Sequence, residues 1–315
     1  MSLARASTPW ITDDFPVSAM SLPILIGVDA GATKTVAIAV TTDGEPLTRL
    51  EGPGANPKRY GLDVAADRIS ALAVRAAGGR PIAVLFVAGA GIDRPEHARA
   101  LGGALRDRLD EDTRVIVAND TLAVLRAGTP DAVGIAVPVS TGGNVIGRAS
   151  DGRVTDRGHG IFGGGYVLGA LAARAARRGR VGEELAREVD AAHLGWRGRR
   201  PGPEAALLGV AVARAAERGD PYPRRLVDRW CARVAGAVHE EAERLDLGDE
   251  PAVIVYGGLG DASPWLATRI REAVLAGAPR ARIVRLETEP AVGAAALARD
   301  EWLGTPVAWD FTPRR

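Results

Sequence analysis

The chain has 315 residues, and its 40 basic and 39 acidic side chains give a formal net charge of +1. This length fits two domains of ordinary size, and the balanced charge argues against a nucleic-acid partner. The sequence lacks the run of roughly 18 apolar residues that a membrane span requires, and a single cysteine excludes an internal disulfide, so we expect a cytoplasmic α/β protein without a membrane partner.

The first half of the chain is predicted to open with a glycine-rich hairpin. Residues 1–22 lack the apolar core of a signal peptide, so we expect an N-terminal extension there. An apolar run then ends at Asp29, and a small-residue stretch leads into a second apolar run at 36–40 and an Asp-Gly turn. Beyond the hairpin, alternating patterns predict helices at 64–77 and 96–109 and strands at 82–88 and 115–117.

The same hairpin pattern recurs in the second half, where a strand at 134–139 precedes Ser140-Thr-Gly-Gly-Asn144 and a short strand at 145–147. The recurrence predicts two related halves. The remaining predicted elements are helices at 167–178, 183–192, 205–218 and 224–245, a strand at 252–256, a helix opened by Ser263-Pro264, a strand at 283–286, a helix from Pro290 and an irregular tail after Leu303.

The segment Asp29-Ala-Gly-Ala-Thr-Lys-Thr35 has the chemistry of a phosphate site, although it lacks the glycine that precedes the lysine in a P-loop. Gly31 lets backbone N–H groups approach an anion, and the hydroxyls of Thr33 and Thr35 add donors. Asp29 could hold Mg²⁺ through water. The alternative is an ordinary hairpin with a charged turn.

Two further glycine-rich turns follow strands. The turn Ser140-Thr-Gly-Gly-Asn144 offers backbone donors and hydroxyls, and two such hairpins can grip successive phosphates. The turn Gly257-Gly-Leu-Gly260 lies between a predicted strand and a predicted helix, where a nucleotide can approach the backbone. A simple tight turn is the alternative for each.

Asn119-Asp120 follows the strand at 115–117, a position where α/β sheets bind ligands. Asp120 could take the proton of a hydroxyl that attacks a phosphoryl group. The alternative is that Asn119 or Asp120 only caps the next helix.

The run Gly158-His-Gly-Ile-Phe-Gly163 matches the dinucleotide fingerprint by its letters. The segment before it, 153–157, is polar, and we predict that it is not a strand. The fingerprint therefore lacks the strand that must precede it.

Taken in order, these segments resemble the superfamily of sugar kinases, Hsp70 and actin, and within it the N-acetylglucosamine kinases and the BadF/BadG/BcrA/BcrD ATPase group. The resemblance runs from about residue 23 to residue 299 and implies an α/β, two-lobed actin-like ATPase fold with an ATP cleft between duplicated ribonuclease-H-like domains. The implied lobes are 23–128 with a returning helix at 291–304, and 129–290, followed by a tail at 305–315. ATP and Mg²⁺ are the implied cofactors, a small-molecule sugar is the implied substrate, and a homodimer is compatible with the family.

The resemblance also implies roles for single residues. Asp120 would be the catalytic base, and Asp29 would hold the metal. The loop Gly52-Pro-Gly-Ala-Asn-Pro57 is similar to the family's sugar loop, Ala88-Gly-Ala-Gly-Ile92 to a segment after the central strand, and Pro290-Ala-Val-Gly-Ala-Ala295 to the closing helix. The implied ATP-binding residues are Gly31, Ala32, Thr33, Lys34 and Thr35, then Thr141, Gly142 and Gly143, and then Gly257, Gly258 and Gly260. The implied substrate-binding residues are Asn56, Asn119, Asp120, Asn144, Asp156 and His159.

One departure from the family pattern concerns the sugar site. Family kinases carry an acidic Gly-Asp-Glu-Gly-Ser run, whereas this chain has Gly160-Ile-Phe-Gly-Gly-Gly-Tyr166. The main hypothesis is an ATP-dependent kinase for N-acetylglucosamine or a related amino sugar or hexose. One alternative is a non-catalytic or regulatory ATP-binding relative that lost the sugar site at Ile161 and Phe162. The other is a dehydratase-activator ATPase, which needs cysteines for an iron–sulfur cluster, and Cys231 stands alone.

Overall fold

The computed structural model describes residues 22–140, 142–156, 164–192 and 203–311. The chain forms two compact units. Unit 1 comprises the chain up to Ala132 together with Thr288–Trp309, and unit 2 comprises Val133–Glu287 together with the chain from Asp310. Each unit is built around one mixed sheet covered by helices.

The sheet of unit 1 has five strands in the order β3-β2-β1-β4-β5. The first three strands form antiparallel pairs, and β4 and β5 extend the sheet in parallel with β1. The strands are β1 (Ile24–Ala30), β2 (Lys34–Thr41), β3 (Pro46–Pro53), β4 (Ile82–Gly89) and β5 (Arg114–Asn119), and the helices between them are α1 (Pro57–Tyr60), α2 (Leu62–Ala77), α3 (Pro95–Arg106) and α4 (Asp120–Gly128).

Among the described residues, the sheet of unit 2 has six strands in the order β10-β9-β6-β7-β8-β11. Its strands are β6 (Gly134–Pro138), β7 (Ile146–Arg148), β8 (Arg153–Asp156), β9 (Ala252–Tyr256), β10 (Arg282–Arg285) and β11 (Asp310–Phe311). The helices are α5 (Gly164–Ala176), α6 (Glu183–Ala191), a short 3-10 helix (Pro203–Ala206), α7 (Leu208–Glu217), α8 (Pro221–Arg244), α9 (Gly258–Ala262) and α10 (Pro264–Gly277). In the described part of the chain, no helix is both long enough and apolar enough to cross a bilayer.

The order β8-β7-β6-β9-β10 repeats the order β3-β2-β1-β4-β5 strand for strand. In both sheets the first three strands of the order form antiparallel pairs. The last two strands run parallel to the central strand, which is β1 in unit 1 and β6 in unit 2. The predicted duplication and the α/β fold class are therefore confirmed.

The central strand β1 is covered on both faces, as its nearly continuous burial requires. Ile24, Ile26 and Val28 join one apolar cluster with side chains of α2 and α3. Gly27 points to the other face because neighbouring strand residues alternate. There it meets α11 (Pro290–Trp302), the last helix of unit 1.

The contact between β1 and α11 depends on glycine. A Cβ on Gly27 would lie 1.9 Å from the backbone nitrogen of Ala295, which no real packing allows. On the same helix, a Cβ on Gly293 would lie 2.0 Å from the carbonyl oxygen of Ala123 in α4. The glycine of the Pro290–Ala295 motif thus lets two helix backbones touch.

Three strands differ from the sequence prediction, and all three are peripheral in their sheets. The edge strand β3 was not predicted because its partly exposed positions carry polar side chains. The prediction that 153–157 is not a strand was wrong, since β8 covers Arg153–Asp156 and buries Val154 between β7 and β11. The tail was expected to be irregular, but residues 310–311 form β11, which pairs in parallel with β8.

Candidate functional site

The parallel strands of unit 1 end at one edge of the sheet and bring the predicted catalytic and metal residues there. Asp29 of β1 is in register with Ala88 of β4, and Gly89 of β4 is in register with Asn119 of β5. Asp29, the loop after β4 and Asp120 therefore lie at the carboxyl ends of three adjacent strands. This edge is where open α/β sheets bind ligands.

Negative charge collects around Asp29. Burial raises the pKa of this carboxyl from 3.8 to about 7, and the nearby charges of Asp120 and Glu289 act in the same direction. Lys34 opposes the shift. Near neutral pH, Asp29 is therefore poised between its two protonation states, and a cation beside it would favour the charged one.

The helix cap at α4 is Asn119 and not Asp120. The Asn119 Oδ1 atom accepts a hydrogen bond from Thr121 N at 3.0 Å, and its Nδ2 atom donates to the carbonyl oxygen of Ile92 at 3.1 Å. Asn119 is buried, and its amide is held by these protein partners. Asp120 is the first helical residue, so its carboxylate is not required as the cap. The predicted substrate contact of Asn119 stays a prediction.

The turn between β1 and β2 is bound to the segment after β3. Ala55 N donates to Gly31 O at 3.0 Å, and Gly54 N donates to Thr33 O at 3.2 Å. Thr33 and Lys34 are exposed. The hydroxyl of Thr35 is fully buried and donates to Pro53 O at 2.9 Å, so in this structure it supports the turn from within.

Asn56 caps the short helix α1. Its Oδ1 atom accepts a hydrogen bond from Lys58 N at 2.9 Å. The amide lies against Gly91, where a Cβ would approach Oδ1 to 2.6 Å and where φ is +87°. The predicted sugar loop and the Ala88–Ile92 segment thus meet through a glycine that no other residue could replace without strain.

In unit 2, the two glycine-rich turns predicted to bind nucleotide, 140–144 and 257–260, meet at Val139. The carbonyl oxygen of Val139 accepts hydrogen bonds from Leu259 N at 3.0 Å and from Gly260 N at 3.2 Å. Gly257 has a φ of +118°, and a Cβ there would lie 2.8 Å from the same oxygen. The structure therefore brings the loop with Gly142 and Gly143 close to Gly257 and to the start of α9, which contains Gly258 and Gly260, within one unit.

The predicted sugar-binding residues of unit 2 are only partly described. The buried Oδ1 atom of Asn144 has no hydrogen-bond partner within the described part of the chain. Asp156 is the last residue of β8. Thr141, His159, Ile161 and Phe162 lie outside the described residues.

The sequence analysis did not find the pair Arg49 and Glu289. Arg49 Nε donates to Glu289 Oε1 at 2.5 Å, and its Nη2 atom donates to Oε2 at 2.9 Å. This bidentate ion pair fixes the carboxylate of Glu289, which precedes α11. The charge of the same carboxylate contributes to the raised pKa of Asp29. The two residues are 240 positions apart, and Arg49 lies on the unpredicted strand β3, so no local pattern could reveal the pair.

Two observations concern metals. Among the described residues, no group of three or more histidine, cysteine or carboxylate side chains is arranged to hold a metal ion. Cys231 lies buried in α8, and burial raises the pKa of its thiol to about 12. A protonated, buried thiol is a poor ligand for an iron–sulfur cluster, which argues against the dehydratase-activator alternative.

Comparison with known proteins agrees with this arrangement. The model of the BadF/BadG/BcrA/BcrD ATPase family matches residues 26–298. The chain is 24% identical over 302 residues to the N-acetylmuramic acid/N-acetylglucosamine kinase of Clostridium acetobutylicum, with 88% of this chain and 98% of that protein covered. It is 23% identical over 314 residues to the N-acetyl-D-glucosamine kinase of Dictyostelium discoideum, with 89% and 98% covered.

Solved structures show the same fold. A candidate N-acetylglucosamine kinase from Chromobacterium violaceum superimposes with a TM-score of 0.66 at 26% identity, covering 88% of this chain and 99% of that chain. A ROK family glucokinase from Streptomyces griseus, solved with glucose and AMPPNP, superimposes with a TM-score of 0.56 at 19% identity, covering 88% and 98%. At that identity the second likeness concerns the fold alone.

Proposed function

Because the chain belongs to the BadF/BadG/BcrA/BcrD ATPase family, we propose that it is an ATP-dependent sugar kinase. The acceptor would be N-acetylglucosamine or a related amino sugar or hexose. The names of both curated relatives, each matched over nearly its whole length, support this acceptor class. The Chromobacterium violaceum structure, at 26% identity, supports the same assignment.

The observation that carries the proposal is the position of Asp120. It lies directly after β5, at the strand edge that also holds Asp29, and Asn119 already serves as the helix cap. A carboxylate at this position is a group of the kind that accepts a proton from an attacking hydroxyl. In the proposed reaction a sugar oxygen forms a bond to the γ-phosphorus, the bond from that phosphorus to the ADP oxygen breaks, and the hydroxyl proton passes to Asp120.

The backbone of the β1–β2 turn in unit 1 would bind phosphates of ATP, and within unit 2 the glycine-rich segment after Val139 offers backbone donors of the same kind. Fixed N–H donors stabilise phosphate charge without having to reorient during the reaction. Positioning of this kind is the main source of catalysis in phosphoryl transfer.

The residues at the strand edge fit Mg²⁺ bound mainly by the nucleotide. Mg²⁺ commonly uses one or two carboxylates, several waters and substrate phosphates, which does not require a cluster of three protein ligands. Asp29 would hold the ion through water, and the charge of the ion would oppose the burial and the carboxylates of Asp120 and Glu289 that raise the pKa of Asp29. When bound, the ion would neutralise phosphate charge.

Two further properties accompany the proposal. An enzyme that consumes ATP works where ATP is maintained, so we place it in the cytoplasm. A homodimer stays a prediction, and sedimentation of the purified chain would test it.

A coupled ADP-release screen over a panel of amino sugars and hexoses tests the proposal. We expect release that depends on one or a few sugars and that yields a phosphorylated sugar detectable by mass spectrometry. Binding of ATP without turnover on any sugar would instead favour the regulatory alternative.

A further inference from the structure

In the β1–β2 turn, three consecutive carbonyl groups face one neighbouring segment, residues 54–60. Each carbonyl oxygen accepts one hydrogen bond from that segment: Gly31 O from Ala55 N at 3.0 Å, Ala32 O from the Tyr60 hydroxyl at 3.0 Å and Thr33 O from Gly54 N at 3.2 Å. Two of the donors are backbone groups, and the third is a side chain. The middle of the turn is therefore held by a residue that mutation can change without altering the backbone.

The direction of a carbonyl fixes the direction of the next amide. In a trans peptide the C=O of one residue and the N–H of the following residue point to opposite sides, and the described chain contains no cis peptide bond. The hydrogen bond from Tyr60 to Ala32 O thus turns Thr33 N–H away from residues 54–60. Within the described part of the chain, neither Ala32 N nor Thr33 N donates a hydrogen bond, so both are available to an anion.

Tyr60 is itself held in place. The guanidinium carbon of Arg68 lies 4.4 Å from the centre of the Tyr60 ring, and the same guanidinium donates to Gly54 O. Gly54 is close to the turn, since a Cβ there would lie 2.5 Å from Ala32 O. Arg68 therefore connects the phenol ring to the loop backbone that also holds the turn.

We infer that Tyr60, fixed by Arg68, is a positioning residue for the phosphate-binding turn, an inference that rests on the proposed ATP-dependent function. Its hydroxyl keeps the Ala32 carbonyl directed away from the ligand, and this orients Thr33 N–H towards a phosphate oxygen before ATP arrives. A donor that is already oriented loses less freedom on binding, which raises affinity. Tyr60 acts on the phosphates through the turn and has no role towards the nucleoside.

The variant Tyr60→Phe removes the hydroxyl and keeps the ring. We expect its affinity for Mg-ATP, measured by calorimetry, to fall about 3- to 10-fold, the factor that corresponds to one hydrogen bond. Affinity for adenosine, measured by competition, should stay unchanged, and the KM for ATP should rise more than kcat falls. The matched control is Tyr222→Phe in unit 2, whose hydroxyl makes no hydrogen bond within the described residues and whose loss should change neither affinity.

The outcomes separate this inference from the proposed function. A folded Tyr60→Phe that binds ATP as tightly as the wild type would overturn the inference alone, and so would an equal loss of ATP and adenosine affinity. A wild type that fails to bind ATP would overturn both. Should Tyr60→Phe fail to fold, Arg68→Met frees the ring while keeping the hydroxyl, and the inference requires the same loss selective for ATP.

Discussion

At the scale of single residues, the candidate site in unit 1 is defined by carboxylates that lie close together at the carboxyl ends of the strands. Asp29 lies in β1, Asp120 is the first residue of α4 directly after β5, and Glu289 lies in the segment before α11. Burial, together with repulsion from Asp120 and Glu289, raises the pKa of the Asp29 carboxyl to about 7. The protein thus maintains an unfavourable charge arrangement at the place where the proposed ligand would bring a cation.

This arrangement predicts a pH-dependent cost to stability. The folded-state pKa of Asp29 is raised, so its proton contributes stability below about pH 4 that is lost as the pH rises through 7. The variant Asp29→Asn removes this dependence. Without nucleotide, it should become more stable than the wild type at pH 8, by up to about 4 kcal/mol, and the difference should vanish near pH 4.

Urea unfolding at several pH values measures this effect. The exposed Asp107, which makes no side-chain hydrogen bond or ion pair among the described residues, provides the control variant Asp107→Asn. Parallel stability profiles for wild type and Asp29→Asn between pH 4 and pH 8 would show that the Asp29 pKa is not raised.

The sequence alone could place Asp29 and Asp120, because each lies at the end of a short apolar run, and that signal is local. It could not place Glu289 beside Asp29 or pair it with Arg49, because those contacts depend on how distant segments pack. The N-cap of α4 could be predicted only in part. The letters Asn119-Asp120 allowed either residue to cap, and only the geometry of α4 decides between them.

At the scale of elements, glycines allow α11 to pack closely against its neighbours in unit 1. Gly293 lets α11 touch α4, so Gly293→Ala would force a Cβ into the carbonyl oxygen of Ala123. Overpacking of this kind costs about 1–3 kcal/mol or more. We expect a lower free energy of unfolding, measured by urea titration.

Gly103 in α3 is the matched control for this prediction. It lies in a helix of the same unit, and a Cβ there meets nothing within 4 Å. Gly103→Ala should therefore leave stability unchanged or raise it by up to about 1 kcal/mol. Similar losses for both alanine variants would mean that the close contact at Gly293 is not a determinant of stability.

Core elements were predictable and edge elements were not, for a physical reason. Strands buried on both faces, such as β1 and β4, have continuous apolar runs. The strands β3 and β8 contain several polar residues and β11 spans only two positions, so their pairing depends on a neighbouring strand. The helix from Pro290 was predicted correctly because proline and a run of small residues mark its start.

At the scale of the whole molecule, the chain passes between the two units three times, after Ala132, after Glu287 and after Trp309. The repeated hairpin pattern predicted the duplication that gives the two units. The third passage carries β11 onto β8 and had no signal in the sequence, since two residues cannot form a recognisable pattern.

Because the chain returns to unit 2 after Trp309, we predict that β11 protects the backbone amides of β8 from hydrogen exchange. Replacing Asp310 and Phe311 by proline removes both backbone donors, whereas replacing both by alanine keeps them. In the proline variant, amide hydrogen exchange of 153–156 should speed up by roughly tenfold, the factor for one net hydrogen bond of about 1.4 kcal/mol. Mass spectrometry of the exchanged peptides measures this, and equal exchange in both variants would show that β11 does not pair in solution.

The central claim is that Asp120 is the general base of an ATP-dependent sugar kinase, and turnover of Asp120→Asn tests it most directly. Because Asn119 provides the cap, the variant should melt close to the wild type and still bind ATP. Its sugar-dependent ADP release should fall by roughly 10²- to 10⁴-fold, since asparagine cannot accept the proton. Wild-type turnover in a folded Asp120→Asn protein, with the same sugar at saturation, would contradict the account.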